Sequence, residues 1–301
     1  MLLLGVVLAL GSAIAHAAWN TASKTIAPAG RPALWAVAIV ESCLVVTVTA
    51  VVMIVRGHGV AVSWELLLLS LGSTAMHALT MGLVQVAYQD FDVSQIYPLS
   101  RGLAPVVVAL TGMVVLGQWL SWAQWGGVLL MAAAVGALLF ETVRTRGSLQ
   151  AKPLLWSACI AVSIAGYTTY DGWVVVERGL DPIAYYAVGT VIQVVLWSVI
   201  VHGKYAEGLR QARTHARTVA VLAVLIPTSY VLSLYATLHA PVSLVAAVRS
   251  SSLIWVALAA ALVLHEPIGR VRVVATILAA AAVSRWSCEA QARSLGRAMT
   301  T

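Results

Sequence analysis

Apolar residues along the 301-residue chain fall into ten stretches, which are separated by short polar or turn-forming segments. A helix needs about 20 apolar residues to cross the hydrocarbon core of a bilayer, and the stretches approach that length. The pattern therefore predicts ten transmembrane helices. We place these predicted spans at residues 2–20, 33–55, 66–87, 94–115, 122–141, 154–173, 183–201, 218–236, 241–263 and 271–286.

The second half of the chain repeats the first. Residues 14–16 (Ile-Ala-His) align with residues 164–166 (Ile-Ala-Gly), and Arg101 aligns with Arg249 further along each repeat. Five spans are an odd number, so the second repeat must cross the bilayer in the opposite sense to the first. Inverted repeats are typical of secondary transporters, whose binding sites lie at the interface between the repeats.

These observations predict an all-α polytopic membrane protein of two inverted five-helix repeats, residues 1–146 and 147–301. The first apolar run ends in Ala15-His16-Ala17, which resembles a signal-peptide cleavage site. However, no basic residue precedes that run, and it has a counterpart at 154–173. We therefore expect the run to remain in the protein as its first span.

Composition supports the same class of protein. The chain is 61% hydrophobic and only 10% charged, whereas soluble domains have about 25% charged residues. The 18 Lys and Arg exceed the 11 Asp and Glu, which in a membrane protein indicates basic loops and contact with anionic lipids. We expect no nucleic-acid partner. The cysteines Cys43, Cys159 and Cys288 lack metal-ligand spacing, and we expect neither a metal nor a cofactor.

Three motifs identify a resemblance that covers essentially the whole chain. They are His16-Ala-Ala-Trp19-Asn20, the run from Tyr97 to Pro105 (Tyr-Pro-Leu-Ser-Arg-Gly-Leu-Ala-Pro), and Leu264-His265-Glu266-Pro267. With the two five-helix repeats, they resemble the EamA-like family of the drug/metabolite transporter superfamily. The first repeat departs from the family pattern, because Gln118 stands where an acidic residue is usual. The resemblance implies export of amino acids or other small metabolites, with both termini in the cytoplasm.

The distribution of basic residues points to the opposite orientation. The side of the membrane that carries the termini has the smaller set of cations, namely Arg56, Arg178, Arg285, Arg293 and Arg297. The other side has the larger set, namely Lys24, Arg31, Arg144, Arg146, Lys152, Lys204, Arg210, Arg213, Arg217, Arg270 and Arg272. The positive-inside rule then favours termini outside the cytoplasm. The two expectations conflict, so the sequence leaves the orientation open.

Two arginines are the leading candidates for substrate binding or gating. Arg101 and Arg249 each lie about two turns into a predicted helix, where a charge costs at least about 2.5–3.5 kcal/mol. Because their helices run in opposite directions, we expect the two guanidinium groups on opposite sides of the membrane midplane. Such permanently charged, bidentate donors suit a carboxylate, phosphate or phosphonate. The alternative is a structural role, in which each arginine binds loop carbonyls or reaches the membrane interface.

Polar and aromatic side chains near the arginines supply further candidates. In the first helix, His16, Trp19 and Asn20 share one face. Such a face turns towards a cavity or a neighbouring helix, and hydrogen bonding between helices is the alternative interpretation. The remaining candidates for substrate contact are Tyr97, Tyr167 and Ser252.

Two ionisable residues are candidates for proton coupling. Glu41 lies about eight residues into the second predicted helix, and His77 lies on a polar face of the third. A buried carboxyl or imidazole can bind and release protons. The alternative for Glu41 is a fixed salt bridge to Arg101 or Arg249. The sequence places Asp171 too close to a predicted helix end to count as intramembrane.

Together these features predict a secondary active transporter, most simply an exporter, in the bacterial inner membrane. Its substrate would be a small polar metabolite, such as an amino acid or a related carboxylate or phosphonate, moved by alternating access. The alternatives are an intramembrane enzyme and a non-transporting structural membrane protein. The chain has no HExxH, GxSxG or phosphate-loop motif, so we expect no enzyme. The bilayer and the substrate are the expected partners, in a monomer or a homodimer.

Overall fold

The computed structural model describes residues 1–57, 62–91, 93–146, 151–252, 254–255, 277–278 and 281. Within those ranges the chain forms helices and no strand, which confirms the all-helical prediction. The helices are α1 Leu2–Ile26, α2 Gly30–Val55, α3 Trp64–Asp90, α4 Val93–Leu116, α5 Trp122–Arg146, α6 Ala151–Val176, α7 Pro182–Ile200, α8 Tyr205–Thr214, α9 Ala216–Thr237 and α10 Val242–Ser250.

Seven helices in the described part of the chain are long and apolar enough to cross a membrane. They are α1, α2, α3, α4 from Leu99 to Leu116, α6, α7 and α9. This length and composition supports a polytopic membrane protein. The ninth predicted span begins with α10, and most of its remainder lies outside the described residues. Nearly all of the tenth predicted span, 271–286, also lies outside them.

Most helices extend a few residues beyond the apolar stretches that predict them. The helix predicted over 154–173 runs from Ala151 to Val176, for example. Polar residues at the ends of a span continue the helix, because backbone hydrogen bonding does not require an apolar side chain. The structure thus places more residues inside the helices than hydropathy alone suggests.

A short helix interrupts the longest predicted connection, residues 202–217. This helix, α8, packs against the start of α2, where Gly208 lies against Trp35. A Cβ atom at Gly208 would come within 2.5 Å of Trp35 Cε3, so only glycine permits this close approach. The Tyr205 ring completes the contact, with its centroid 5.2 Å from that of Trp35.

The long helices pack in pairs that join the two halves of the chain. α1 packs along α9 and α3 along α6, while α2 packs on α7 and α4 on α10. Ser12 in α1 and Ser229 in α9 show how close these contacts are. Each hydroxyl donates to the backbone carbonyl of the other residue, at 2.6 and 3.0 Å. α4 also packs on α6, and α1 on α10.

Two ion pairs join the halves at one end of the bundle, which we call the ion-paired end. Arg56, after α2, bonds to Asp181 at 2.9 Å, and Arg178, after α6, bonds to Glu65 at the start of α3. Asp181 also caps α7, because its carboxylate accepts the amide hydrogens of Ile183 and Ala184. These side chains are exposed, so the pairs contribute little to stability.

Candidate functional site

A cavity lies where α4, α6, α9 and α10 meet. Its free space is about 30 Å³, roughly the volume of one water molecule. Both predicted arginines line this cavity, together with Tyr167 from α6 and Ser233 from α9. The structure therefore brings Arg101 and Arg249 to one site, although 148 positions of sequence separate them.

Arg249 is held beside this cavity with part of its guanidinium group unsatisfied. Its Nε atom is buried and has no hydrogen-bond partner among the residues that the structure describes. Its Cζ atom lies 5.2 Å from the centre of the Tyr230 ring. A cation over an aromatic face is stabilised by the ring's negative quadrupole, but the ring does not replace the missing acceptor.

His16 adds a second buried nitrogen, which donates a hydrogen bond in the tautomer that carries its proton on Nδ1. Its side chain is only 4% exposed, and its Nδ1 lacks a partner within the described part of the chain. The imidazole lies within the electrostatic influence of both Arg101 and Arg249. We call these three residues the cationic cluster. Buried polar atoms are normally hydrogen-bonded, so unpartnered nitrogens next to permanent positive charge are suited to binding an anion.

A second group of polar residues, the carboxylate cluster, meets the cationic cluster at Tyr230. It consists of Asp171, His77, Tyr185 and Tyr230, and Asp171 is 2% exposed. Tyr185 donates to Asp171 Oδ1 at 2.6 Å, and the Tyr230 hydroxyl donates to Asp171 Oδ2. His77 Nε2 lies 3.3 Å from the same Oδ2 and 2.7 Å from the Tyr230 hydroxyl oxygen. Both carboxylate oxygens are therefore hydrogen-bonded.

Glu41 is linked to the two clusters through stacked tyrosines. This residue is 2% exposed, and its carboxylate accepts a hydrogen bond from the Tyr186 hydroxyl. The Tyr186 ring stacks on Tyr230 with 5.3 Å between centroids. Among the described residues, Glu41 forms no ion pair with Arg249. Tyr230 is consequently in contact with the cationic cluster, with Asp171 and with the partner of Glu41.

The remaining predicted residues occupy several different places. Trp19 lies edge-on to His16, 4.8 Å between ring centroids, and the Asn20 amide donates to the His16 carbonyl at 2.9 Å. Tyr167 both lines the cavity and lies against His77, with ring centroids 3.9 Å apart. Ser252 is buried. The side chain of Tyr97 lies outside what the structure describes.

Sequence analysis missed three members of these networks. Asp171 was excluded as too close to a helix end, yet α6 continues to Val176 and buries it. Tyr185 and Tyr186 were not considered, although two adjacent tyrosines within an apolar helix are a visible signal. The Tyr185 hydroxyl donates a hydrogen bond to Asp171, and the Tyr186 hydroxyl donates one to Glu41.

Within the described ranges, no group of three His, Cys, Asp or Glu side chains is placed to hold a metal ion. This finding concerns only those ranges.

Comparison with known proteins identifies the fold but not the activity. No family model matches the chain, and no curated protein matches it. Several solved structures are similar, among them a crystal structure with a TM-score of 0.67 over 94% of this chain and 98% of that chain. The two sequences are 14% identical, so the similarity extends to the fold alone.

Proposed function

We propose that this protein is a secondary active transporter of the EamA-like family in the drug/metabolite transporter superfamily. It moves a small polar metabolite, such as an amino acid or a related carboxylate or phosphonate, by alternating access between two inverted repeats. The observation that carries the proposal is the cationic cluster, where buried nitrogens of Arg249 and His16 have no partner among the described residues. Export across the bacterial inner membrane is the direction and location that the family resemblance favours.

The helix contacts support the inverted-repeat part of this proposal. The sequence alignment pairs α1 with α6, α2 with α7, α3 with α9 and α4 with α10. An approximate twofold axis requires that the contact of α1 with α9 be matched by one of α6 with α3, and that contact occurs. The contact of α4 with α6 is likewise matched by that of α10 with α1. Within the described residues, α2 packs on its own counterpart α7 and α4 on its counterpart α10, as elements on the axis do.

The chemistry of the cavity supports an anionic group on the substrate. Burying a cation away from water is costly unless an anion or several acceptors replace the lost hydration. Tyr230 offers the Arg249 guanidinium group only its ring face. A carboxylate or phosphonate would supply the missing acceptors, and arginine is well shaped to bind such groups through paired hydrogen bonds.

The size of the cavity supports a mechanism with moving helices. The free space of about 30 Å³ is far below the roughly 300 Å³ of the smallest common ligand pockets. A metabolite can enter only if α4 and α10 separate from α6 and α9. Separation of repeats around a central site is the basis of alternating access, and no such opening is needed for a purely structural role.

Glu41 and His77 remain the candidates for proton coupling. Both are connected to Tyr230, Glu41 through Tyr186 and His77 directly. An anion that binds Arg249 would change the electrostatic potential at Tyr230 and its partners. A change in protonation of Glu41 or His77 on substrate binding would couple the two events.

Transport in proteoliposomes tests the proposal. Liposomes preloaded with unlabelled amino acids, organic acids or phosphonates would be assayed for uptake of the matching radiolabelled compound. We expect exchange of at least one anionic or zwitterionic compound by the wild type and loss of exchange in Arg249→Ala. Arg178→Ala is the matched control, because it removes an exposed, ion-paired arginine. Equal exchange by both variants would contradict the site, and the absence of exchange for every compound would contradict this substrate class.

A further inference from the structure

One end of the bundle carries cations that are exposed and not neutralised. We call these cations the basic face. They lie near the carboxyl-terminal ends of α1 and α7, near the amino-terminal ends of α2 and α9, and on α8. They are Lys24, Arg31, Lys204, Arg210, Arg213 and Arg217. Among the described residues, none of the six takes part in an ion pair.

At the ion-paired end, by contrast, exposed cations are neutralised by carboxylates. There, the arginines Arg56 and Arg178 each bond to a carboxylate of the other half of the chain. Both are about half exposed, so solvent exposure by itself does not prevent pairing. The α8 helix has one acidic residue, Glu207, against the basic pair Arg210 and Arg213. The basic face therefore keeps its positive charge.

The orientation of α8 directs that charge outward. Gly208 and Ala212 pack towards Trp35, and Tyr205 stacks on the same ring. On a flank of the helix that does not contact Trp35, Leu209 is 55% exposed, and the neighbouring Arg210 and Arg213 are exposed as well. An exposed leucine flanked by arginines is the pattern of a helix that lies at the membrane interface, with its apolar residue towards acyl chains. Long basic side chains can then reach the headgroups from there.

We propose that the basic face binds the headgroups of anionic phospholipids, with α8 lying in the interface. The charge, the exposed leucine and the position at the helix ends all match a negatively charged lipid surface. A zwitterionic lipid lacks the net charge that the six cations would attract. Each arginine near such a surface strengthens binding by roughly fivefold, and the effect weakens as salt screens the charges. This inference is independent of the transport activity.

Lipid titration of the purified full-length protein tests the proposal. Detergent micelles would be doped with phosphatidylglycerol or phosphatidylcholine, and lipid binding would be followed by native mass spectrometry and by the thermal midpoint. We expect tighter binding of phosphatidylglycerol by the wild type. The double variant Arg210→Gln/Arg213→Gln should lose roughly 25-fold in apparent affinity. The matched double variant Arg56→Gln/Arg178→Gln removes the same charge from the other end and should retain the affinity.

Four results would overturn the proposal. The first is equal binding of the two lipids by the wild type. The second is an equal loss in both double variants, which would reflect net charge alone. The third is stabilisation by inorganic phosphate that matches the stabilisation by phosphatidylglycerol, since this would indicate a site for free anions. A preference that persists at high salt in the wild type would also exclude an electrostatic basis.

Discussion

The carboxylate cluster and the cationic cluster meet at Tyr230, but their polar atoms are satisfied to different extents. Both oxygens of Asp171 accept hydrogen bonds from side chains of neighbouring helices. In contrast, nitrogens of Arg249 and His16 lack partners within the described residues. A fully bonded buried group holds helices together, whereas an unsatisfied one leaves room for a ligand. The comparison thus distinguishes a fully hydrogen-bonded carboxylate from the proposed anion site within one bundle.

Removal of Asp171 should have the largest effect on stability. Asp171→Ala leaves the donors of Tyr185 and Tyr230 without their acceptor in a buried place. We expect a loss of about 3–5 kcal/mol in the free energy of unfolding, or failure to fold. Asp181→Ala instead removes a partly exposed helix cap together with its ion pair to Arg56, and should cost only about 1–2 kcal/mol. Thermal unfolding of the purified variants in detergent would measure both, and equal losses would contradict a special role for the buried carboxylate.

Tyr230→Phe tests whether the contact of the Tyr230 ring with Arg249 and the hydrogen bond of its hydroxyl to Asp171 act independently. The phenylalanine ring can still face Arg249 and stack on Tyr186, but the hydrogen bond to Asp171 is lost. We expect a stability loss of about 1.5–3 kcal/mol with anion binding changed only slightly. Tyr170→Phe, which removes a bond to the Leu69 carbonyl, should cost about 1 kcal/mol. A large loss of anion binding in Tyr230→Phe would show that the clusters act as one unit.

Gly172 allows the close approach of α6, which carries Asp171, and α10, which carries Arg249. A Cβ atom there would lie 2.4 Å from Val242 Cγ2 at the start of α10. Gly172→Ala should therefore push α10 away from α6 and cost about 1–3 kcal/mol. Gly82→Ala meets no atom within 4 Å and should stabilise α3 by up to about 1 kcal/mol. Thermal unfolding of the pair gives the answer, and similar midpoints for both variants would contradict the close packing.

The exposed pair of Glu65 and Arg178 should have the smallest effect. Glu65→Gln removes a carboxylate that two nitrogens of one guanidinium group contact. Because water and salt screen the pair, we expect a loss below about 1 kcal/mol. The difference from wild type should shrink further at high ionic strength. A loss as large as that of Asp171→Ala would mean that burial is not what distinguishes the carboxylate cluster.

Hydropathy along the chain predicts the long helices α1 to α7 and α9, but not their full extent and not the short helix α8. Hydropathy does not predict α8, because residues 205–214 are polar, and the contact of Gly208 with Trp35 is visible only in the structure. The exclusion of Asp171 had a similar cause. The predicted span ended at 173, while the apolar residues Val174 and Val175 continue the helix and are themselves buried.

The site was only partly predictable, because the sequence shows which residues are polar but not which helices bring them together. Arg101 and Arg249 stand out because the internal repeat places them at corresponding positions of apolar helices. The partners of Glu41 and Asp171 do not stand out in this way. Tyr186 lies 145 positions from Glu41, so only the packing of α2 on α7 brings the hydroxyl to the carboxylate.

The most direct test of the central claim, that the cationic cluster binds an anion, is a thermal-shift screen of the purified protein. Carboxylates, phosphonates, amino acids, nucleosides and organic cations at millimolar concentration would be compared for wild type, Arg249→Ala and Arg178→Ala. Ligand stabilisation grows with concentration relative to the dissociation constant, so weak binders are detectable. We expect only anionic or zwitterionic compounds to stabilise wild type and Arg178→Ala, with at least about a tenfold weaker effect in Arg249→Ala. Stabilisation by neutral or cationic compounds, equal in all three proteins, would contradict the account and make the arginines structural.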